Sequence, residues 1–246
     1  MRNELWFGDC LELLPFVPDK SIDMILCDLP YGTTQNKWDS IIDLPSLWAQ
    51  YERVIKDNGA IVLTAQTPFD KVLGVSNLKL LKYEWIWEKT SATGHLNAKK
   101  MPMKAHENVL VFYKKPPTYN PQMTTGHARK VSTAAHGRDS QKSSNYGDYG
   151  RTTYDSTERY PRSVVEFAKD VQKTALNATQ KPVALMEYLI KTYTNPGELV
   201  LDNTIGSGTT AVAARNTGRD FLGMESDEDE YDKACERLSA QEVKAA

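Results

Sequence analysis

Four residues, Asp28-Leu29-Pro30-Tyr31, follow directly on the apolar run Ile22-Asp23-Met24-Ile25-Leu26-Cys27. An acid, a rigid proline and an aromatic ring at the end of a buried strand have the chemistry to grip a planar amine. The carboxylate accepts its hydrogens and the ring stacks on its face. Adenine is such an amine. Its exocyclic nitrogen is a poor nucleophile because the lone pair is delocalised into the ring, so reaction there needs both hydrogens held by acceptors. Asp28 and a backbone carbonyl supply them, and Pro30 fixes φ and removes a donor. To meet these groups, a base in a duplex must rotate out of the stack. Stacking on Tyr31, worth about 1 to 3 kcal/mol, offsets part of that cost. A plain Asp-Pro turn that only ends a strand is the alternative.

A second buried run, Leu199-Val200-Leu201-Asp202, leads through Asn203-Thr204-Ile205 into Gly206-Ser207-Gly208-Thr209-Thr210 and a helix. Glycines there let backbone approach a ligand closely, and the helix start offers free N–H groups. The loop lacks the Gly-Lys-Ser/Thr ending of a phosphate-binding P-loop. Glu225, nineteen residues after Gly206, ends the next apolar run, where an acid accepts hydrogen bonds from a ribose diol. Alone, this half suits a dinucleotide or S-adenosylmethionine equally.

The elements that must position these groups alternate. Short β-branched or aromatic runs span Glu4 to Phe7, Ile22 to Cys27, Ala60 to Thr64, Tyr83 to Trp87, Val109 to Tyr113, Leu199 to Leu201 and Phe221 to Met224. Helical spacing covers Leu44 to Lys56, Pro182 to Tyr193 and Asp227 to Val243, and Asn58-Gly59 and Asn195-Pro196-Gly197 read as stops. The pattern predicts an α/β fold, Rossmann-like and doubly wound, on a mostly parallel seven-stranded sheet.

With 246 residues and a formal charge of −2, the chain fits one substantial core and no indiscriminate polyanion binder. Cys10, Cys27 and Cys235 lie far apart without C-x-x-C, and the four histidines show no H-x-x-x-H spacing, so no disulfide framework or metal site is expected. No apolar stretch reaches the roughly 18 residues that span a bilayer, and Glu4 and Asp9 stand where a signal core would lie. A reducing cytoplasm fits best.

Residues 116–162 break the rhythm. Seven basic residues (Arg129, Lys130, Arg138, Lys142, Arg151, Arg159, Arg162) face four acids, for a local charge of +3, with five tyrosines interleaved. Aliphatic residues are too few for a core, whereas the cations suit phosphates and the tyrosines suit bases; an ordinary long, flexible insertion is the alternative. Residues 89–107, with Lys89, His95, Lys99, Lys100, Lys104 and His106, read as a basic loop, and Thr33 to Trp38 as a segment that closes over the base.

Taken together, the chain resembles the amino-group DNA methyltransferases, in the permuted class whose catalytic motif precedes the S-adenosylmethionine loop. The resemblance rests on Gly8-Asp9-Cys10, Asp28-Leu29-Pro30-Tyr31-Gly32, Arg53-Val54-Ile55-Lys56 before Asn58-Gly59, His106 through Phe112, Thr179-Gln180-Lys181-Pro182, and Leu201 through Glu225. It implies double-stranded DNA as partner, Asp28, Pro30 and Tyr31 as catalytic, and Asp28 also beside the cofactor. Asp9 would lie near the cofactor adenine and Glu225 at its ribose. Thr179, Gln180, Lys181, Pro182, Asp202, Gly206, Ser207, Gly208 and Thr209 would surround its amino acid portion.

It further implies a catalytic half at 1–115, a target-recognition insertion at 116–162 and a cofactor half at 163–246. A homodimer and a cognate restriction endonuclease are family companions that no residue pattern here carries. The chemistry implied is direct in-line methylation of adenine N6, with cytosine N4 the nearest alternative and a catalytically silent nucleic-acid-binding subunit the reading from another class.

Three positions depart from the family pattern: Leu29 replaces a proline, Asn203-Thr204-Ile205 replace Pro-Phe and a small residue, and Asn177-Ala178 replace His-Pro. The second change removes an aromatic wall beside the cofactor, so cofactor affinity is the property it bears on.

Overall fold

The computed structural model describes residues 1–32, 39–132, 142–143, 147–148, 153–170 and 180–245. Thr179 and the segment Thr33 to Trp38 lie outside the described residues, as does most of the basic run between 133 and 152. In chain order the elements are β1 (Glu4–Phe7), α1 (Cys10–Leu13), β2 (Ile22–Asp28), α2 (Leu44–Val54), β3 (Ile55–Ala65), α3 (Phe69–Ser76), β4 (Leu81–Thr93) and β5 (Lys104–Phe112). Four short strands follow, β6 (Lys130–Ser132), β7 (Lys142–Ser143), β8 (Gly147–Asp148) and β9 (Tyr154–Ser156). The chain continues with β10 (Val164–Phe167), α4 (Val183–Tyr193), β11 (Leu199–Asp202), α5 (Thr209–Asn216), β12 (Asp220–Glu225) and α6 (Glu228–Ala245).

The backbone groups into two compact units, Met1–Asn120 with Ser163–Ala246, and Pro121–Arg162. The larger holds an eight-stranded sheet in the order β1-β12-β11-β2-β3-β5-β4-β10. Only β5 runs against its neighbours; the other seven strands are parallel. The eighth strand is β10, which pairs with β4 through Val164 to Phe167. It escapes a reading of apolar runs because its burial alternates with exposure, as on an edge strand.

Helices cover both faces, and the period of two along the strands decides which side chain meets which layer. Cys27, Ile61, Leu63, Leu110, Phe112 and Leu201 pack with Leu47, Trp48, Tyr51 and Val54 of α2 and Phe69 and Leu73 of α3. Met24, Leu26, Val62, Val109, Val111 and Val200 pack with Leu185, Leu189 and Tyr193 of α4 and with the small residues Ala211 to Ala214 of α5.

Asn58-Gly59 does not end a helix. Helix α2 stops at Val54 and the chain passes at once into β3, where Ile22 pairs with Ile55 but Met24 with Ala60. Lys56 to Gly59 stand opposite Asp23 alone and form that bulge. A Cβ on Gly59 would stand 2.7 Å from the Asp23 carbonyl oxygen, which is why the position takes glycine.

The smaller unit is an antiparallel framework of β6 with β9 and β7 with β8, plus the bridge Thr124 to Arg159. Polar bonds hold it in place of a core. Arg129 meets Asp155 through two parallel 2.7 Å bonds, and Arg159 donates to the carbonyls of Ala128, Ser156 and Glu158. Among the described residues no helix is long and apolar enough to cross a membrane, and no group of three or more His, Cys, Asp or Glu could hold a metal.

Candidate active site

Because β1, β12, β11, β2, β3 and β4 run in one direction, their C-terminal ends share one edge of the sheet. Asp28 closes β2 there, directly across from Thr64 of β3. Its Oδ1 accepts the Thr64 hydroxyl at 2.5 Å and the Tyr31 hydroxyl at 2.6 Å. Its Oδ2 accepts the Lys181 ammonium at 2.6 Å. Three donors from three segments therefore fix the carboxylate.

Lys181 is only 7% exposed, and its Nζ stands 3.3 Å from Glu107 Oε2 and 5.4 Å from the centre of the Tyr31 ring. The other Glu107 oxygen takes the buried Lys89 ammonium at 2.5 Å. The result is an alternating chain of charge, Lys89 to Glu107 to Lys181 to Asp28. Burial alone would discharge Lys181, but Asp28, Tyr31 and Glu107 outweigh it and hold the ammonium well above its ordinary range. For Glu107, burial works against the charge, and Lys181 and Lys89 reverse it to leave the carboxyl below its usual value. Burial, then the Asp28 charge, pushes the Tyr31 phenol up, so Tyr31 is the donor in its bond to Asp28. The Tyr31 ring lies on Phe69 at 5.3 Å between centres, tilted by 26°.

The glycine loop stands beside this turn. Thr204 Oγ1 donates to the Asp28 carbonyl at 3.2 Å, tying the two motifs together. Gly206 and Gly208 both take positive φ, +51° and +84°. The space where a Gly206 Cβ would lie is open, while one on Gly208 would press on Ala234 of α6 at 3.2 Å. Glu225 braces the loop: its Oε2 accepts Gly206 N–H at 2.8 Å, and its Oε1 accepts the N–H groups of Ser226 and Asp227 at 2.9 Å. Gly8 N–H bonds the Glu225 carbonyl at 2.8 Å, which brings Asp9 to the same corner. The Asp9 carboxylate there caps α1 through Leu11 N–H at 2.7 Å.

Asp202 is buried, and burial raises its carboxyl to about 7 against the bonds from Thr210 and Thr204 that favour its charge. Gln180 spans the gap to the loop, accepting from Ser207 Oγ at 3.3 Å and donating to Asp170 at 2.7 Å. Pro182 caps α4, and Thr209 Oγ1 accepts from Arg237 at 3.1 Å.

Two of the three substituted loop positions have structural uses inside the fold. The Asn203 side-chain oxygen accepts from Tyr51 of α2 and, at 3.0 Å, from the Cys27 thiol. Ile205 turns inward as part of the core around α4 and α5. Thr64 and Glu107 carry no signal of a role in the sequence, because their motif neighbours are apolar strand residues. Lys89 does not belong to the basic loop its spacing predicts: it is a buried member of β4, and the loop proper is confined to 94–103.

A family model described as DNA methylase, N6_N4_Mtase, matches residues 22–236, most of the chain. The chain belongs to that family. The Type II methyltransferase M1.MboII of Moraxella bovis is 28% identical to this family member over 261 residues, covering 98% of both chains. The DNA adenine methyltransferase YhdJ of Escherichia coli (strain K12) is 29% identical over 94% of this chain and 81% of its own. Among solved structures, the M1.HpyAVI–SAM complex superposes with a TM-score of 0.67 at 22% identity, over 96% of this chain and 98% of that one. The shared fold includes the doubly wound sheet whose edge carries Asp28 and the glycine loop.

Proposed function

We propose that this DNA amino-methyltransferase acts on adenine N6, with S-adenosylmethionine as methyl donor. The observation that carries the reading is the Asp28 carboxylate, fixed by Thr64, Tyr31 and Lys181 at the sheet edge and bonded through its own carbonyl to the glycine loop. YhdJ is named as an adenine methyltransferase, and M1.HpyAVI was crystallised with the cofactor.

The residues present fit that cofactor. The open space at Gly206, the left-handed turn to Gly208, the buried acid Asp202 and the ordered carboxylate of Glu225 form a polar cradle at one corner. Glu225 would hold the ribose, Asp9 would sit at the adenine, and Asp202, Gln180, Ser207 and Thr209 would hold the amino acid portion. When bound, the cofactor supplies an electrophilic methyl carbon on a positively charged sulfur.

The protein's own task is alignment. A carboxylate oxygen offers two lone pairs. Oδ1 of Asp28 spends both on Thr64 and Tyr31, while Oδ2 spends one on Lys181 and keeps one for an amine hydrogen. The Leu29 carbonyl would accept the second hydrogen, and Tyr31, already seated on Phe69, would stack on the flipped base. No covalent enzyme intermediate is needed. Digestion of reacted DNA to nucleosides separates N6-methyladenine from N4-methylcytosine, and saturable cofactor binding excludes a silent subunit. In this reading the smaller unit, Pro121–Arg162, recognises the target sequence through its basic residues and tyrosines.

Asp202 gives a pH prediction. An acid raised from 3.8 to about 7 by folding binds its proton more tightly in the folded state, so stability falls as pH rises from about 4 to about 7 and is flat above. The same ionisation creates the charge that receives the cofactor's ammonium group. Affinity measured by calorimetry is therefore expected to tighten several-fold between pH 6 and 8, and Asp202→Asn to bind weakly with that dependence gone. A wild-type affinity independent of pH would remove Asp202 from the cofactor site.

A further inference from the structure

The turn between β4 and β5 is built unlike the rest of the larger unit. Every residue from Gly94 to His106 is exposed. Leu96 is 87% exposed, Met101 53% and Met103 42%, while Lys99 and Lys100 have no ion pair among the described residues. No Asp or Glu occurs between Glu88 and Glu107, so Lys99, Lys100 and Lys104 make the tip +3 in a chain whose net charge is −2. Short turns hold the tip in shape: Gly94 takes φ +88°, His95–Asn97 form a 3-10 turn, and Asn97 O accepts from the N–H groups of Lys100 at 2.8 Å and Met101 at 3.0 Å. A leucine exposed at the apex of an ordered basic turn has no role in the fold.

Its position follows from the topology. Strand β4 runs parallel to β2 and β3, so the turn projects from the edge that carries Asp28. Ala65, at the end of β3, pairs with Asn108, and the partner strand continues four residues further out to Lys104. At about 3.3 Å per residue, the hairpin stands roughly 13 Å proud of β3 before the turn begins. Lys104 Nζ reaches back to Gln66 Oε1 at 3.3 Å, two residues after Thr64.

We propose that this tip is a DNA-docking wedge: Lys99, Lys100 and Lys104 take backbone phosphates beside the target nucleotide, and Leu96 enters the groove to press on the stack that the flipped base leaves. The proposal rests on the DNA-methyltransferase reading. Exposed apolar side chains flanked by cations are what opens a base step, because the cations hold the backbone while the apolar group replaces lost stacking. Three cations with no acid among them also suit a polyanion better than a neutral protein surface.

The test uses full-length protein, plasmid DNA grown in a methyltransferase-deficient host, and, once the methylated site is mapped, a short duplex with 2-aminopurine in place of the target adenine. Lys99→Ala with Lys100→Ala is expected to weaken DNA binding about tenfold or more at moderate salt and to reduce the slope of log K against log salt by about 2, as two lost phosphate contacts require. Leu96→Ala is expected to keep that slope and bind S-adenosylmethionine normally, yet lose most of the 2-aminopurine fluorescence rise and about tenfold in rate. Wild-type slope in the double variant together with wild-type fluorescence in Leu96→Ala would overturn the proposal. So would a change in sedimentation of Leu96→Ala without any change in DNA binding, which would give the tip to a second copy of the chain. Failure of the wild-type protein itself to methylate DNA would instead overturn the reading beneath it.

Discussion

Asp28→Ala is expected to transfer methyl groups at one hundredth of the wild-type rate or less, on the order of the loss seen when one prealigned polar group is removed from a reacting centre. The carboxylate that offers the remaining acceptor site is held rigid by three donors from three segments, Thr64, Tyr31 and Lys181. Removing it leaves the amine hydrogen without an acceptor and the buried Lys181 without its nearest partner. The fall should therefore lie mainly in kcat, with cofactor binding retained. Asp28→Asn keeps the volume and one oxygen and is expected to fall between the two. Single-turnover rates at saturating cofactor and DNA are the measurement. Full activity in Asp28→Ala, with the variant folded and cofactor-bound, would take Asp28 out of the reaction.

The second large effect is on stability. Glu107 is the single anion between two buried ammonium groups, 2.5 Å from Lys89 and 3.3 Å from Lys181. Removing one partner of a buried ion pair strands the other, at a cost of about 3 to 5 kcal/mol. Glu107→Gln keeps the shape and should cost about 3 kcal/mol, lowering the thermal midpoint by roughly 6 to 12 °C for a chain of this size. The sign with pH is fixed by the direction of the shift. A carboxyl held below its unfolded value contributes stability above that value and loses it as pH falls through the folded one. The wild type should therefore lose this contribution only below about pH 4.5, and the variant should lack that acid-side loss. Equal midpoints for the two proteins at pH 7 would show that the charge chain contributes nothing. Such a result would leave Lys181 anchored by Asp28 alone.

What the sequence made legible was local. The run Ile22 to Cys27 reads as a strand because every position is apolar except Asp23, and the turn after it is marked by Asp, Pro and Tyr within four residues. The glycine loop announces itself by type. Strand β10 does not, since Val164-Val165-Glu166-Phe167 is short and half exposed and gains its identity only by pairing with β4. Asn58-Gly59 reads as a stop because that dipeptide favours turns, and the bulge that uses it depends on close approach to Asp23 of another strand. Glu107 and Lys89 were the least legible. A lysine and a glutamate eighteen residues apart carry no local signal of an ion pair, and the five further basic positions between them, His95, Lys99, Lys100, Lys104 and His106, read as a basic loop. Antiparallel pairing of β4 with β5 is what brings them together, Glu107 two strands and Lys89 three strands from Asp28, where burial makes their pairing obligatory.

The most direct measurement is to incubate the purified protein with isotope-labelled S-adenosylmethionine and unmethylated duplex DNA, digest the DNA to nucleosides and identify the labelled product by mass spectrometry. Label is expected in N6-methyladenine and is expected to be lost in Asp28→Ala. Label in N4-methylcytosine, or none in DNA from a protein shown to bind the cofactor, would contradict the proposed function.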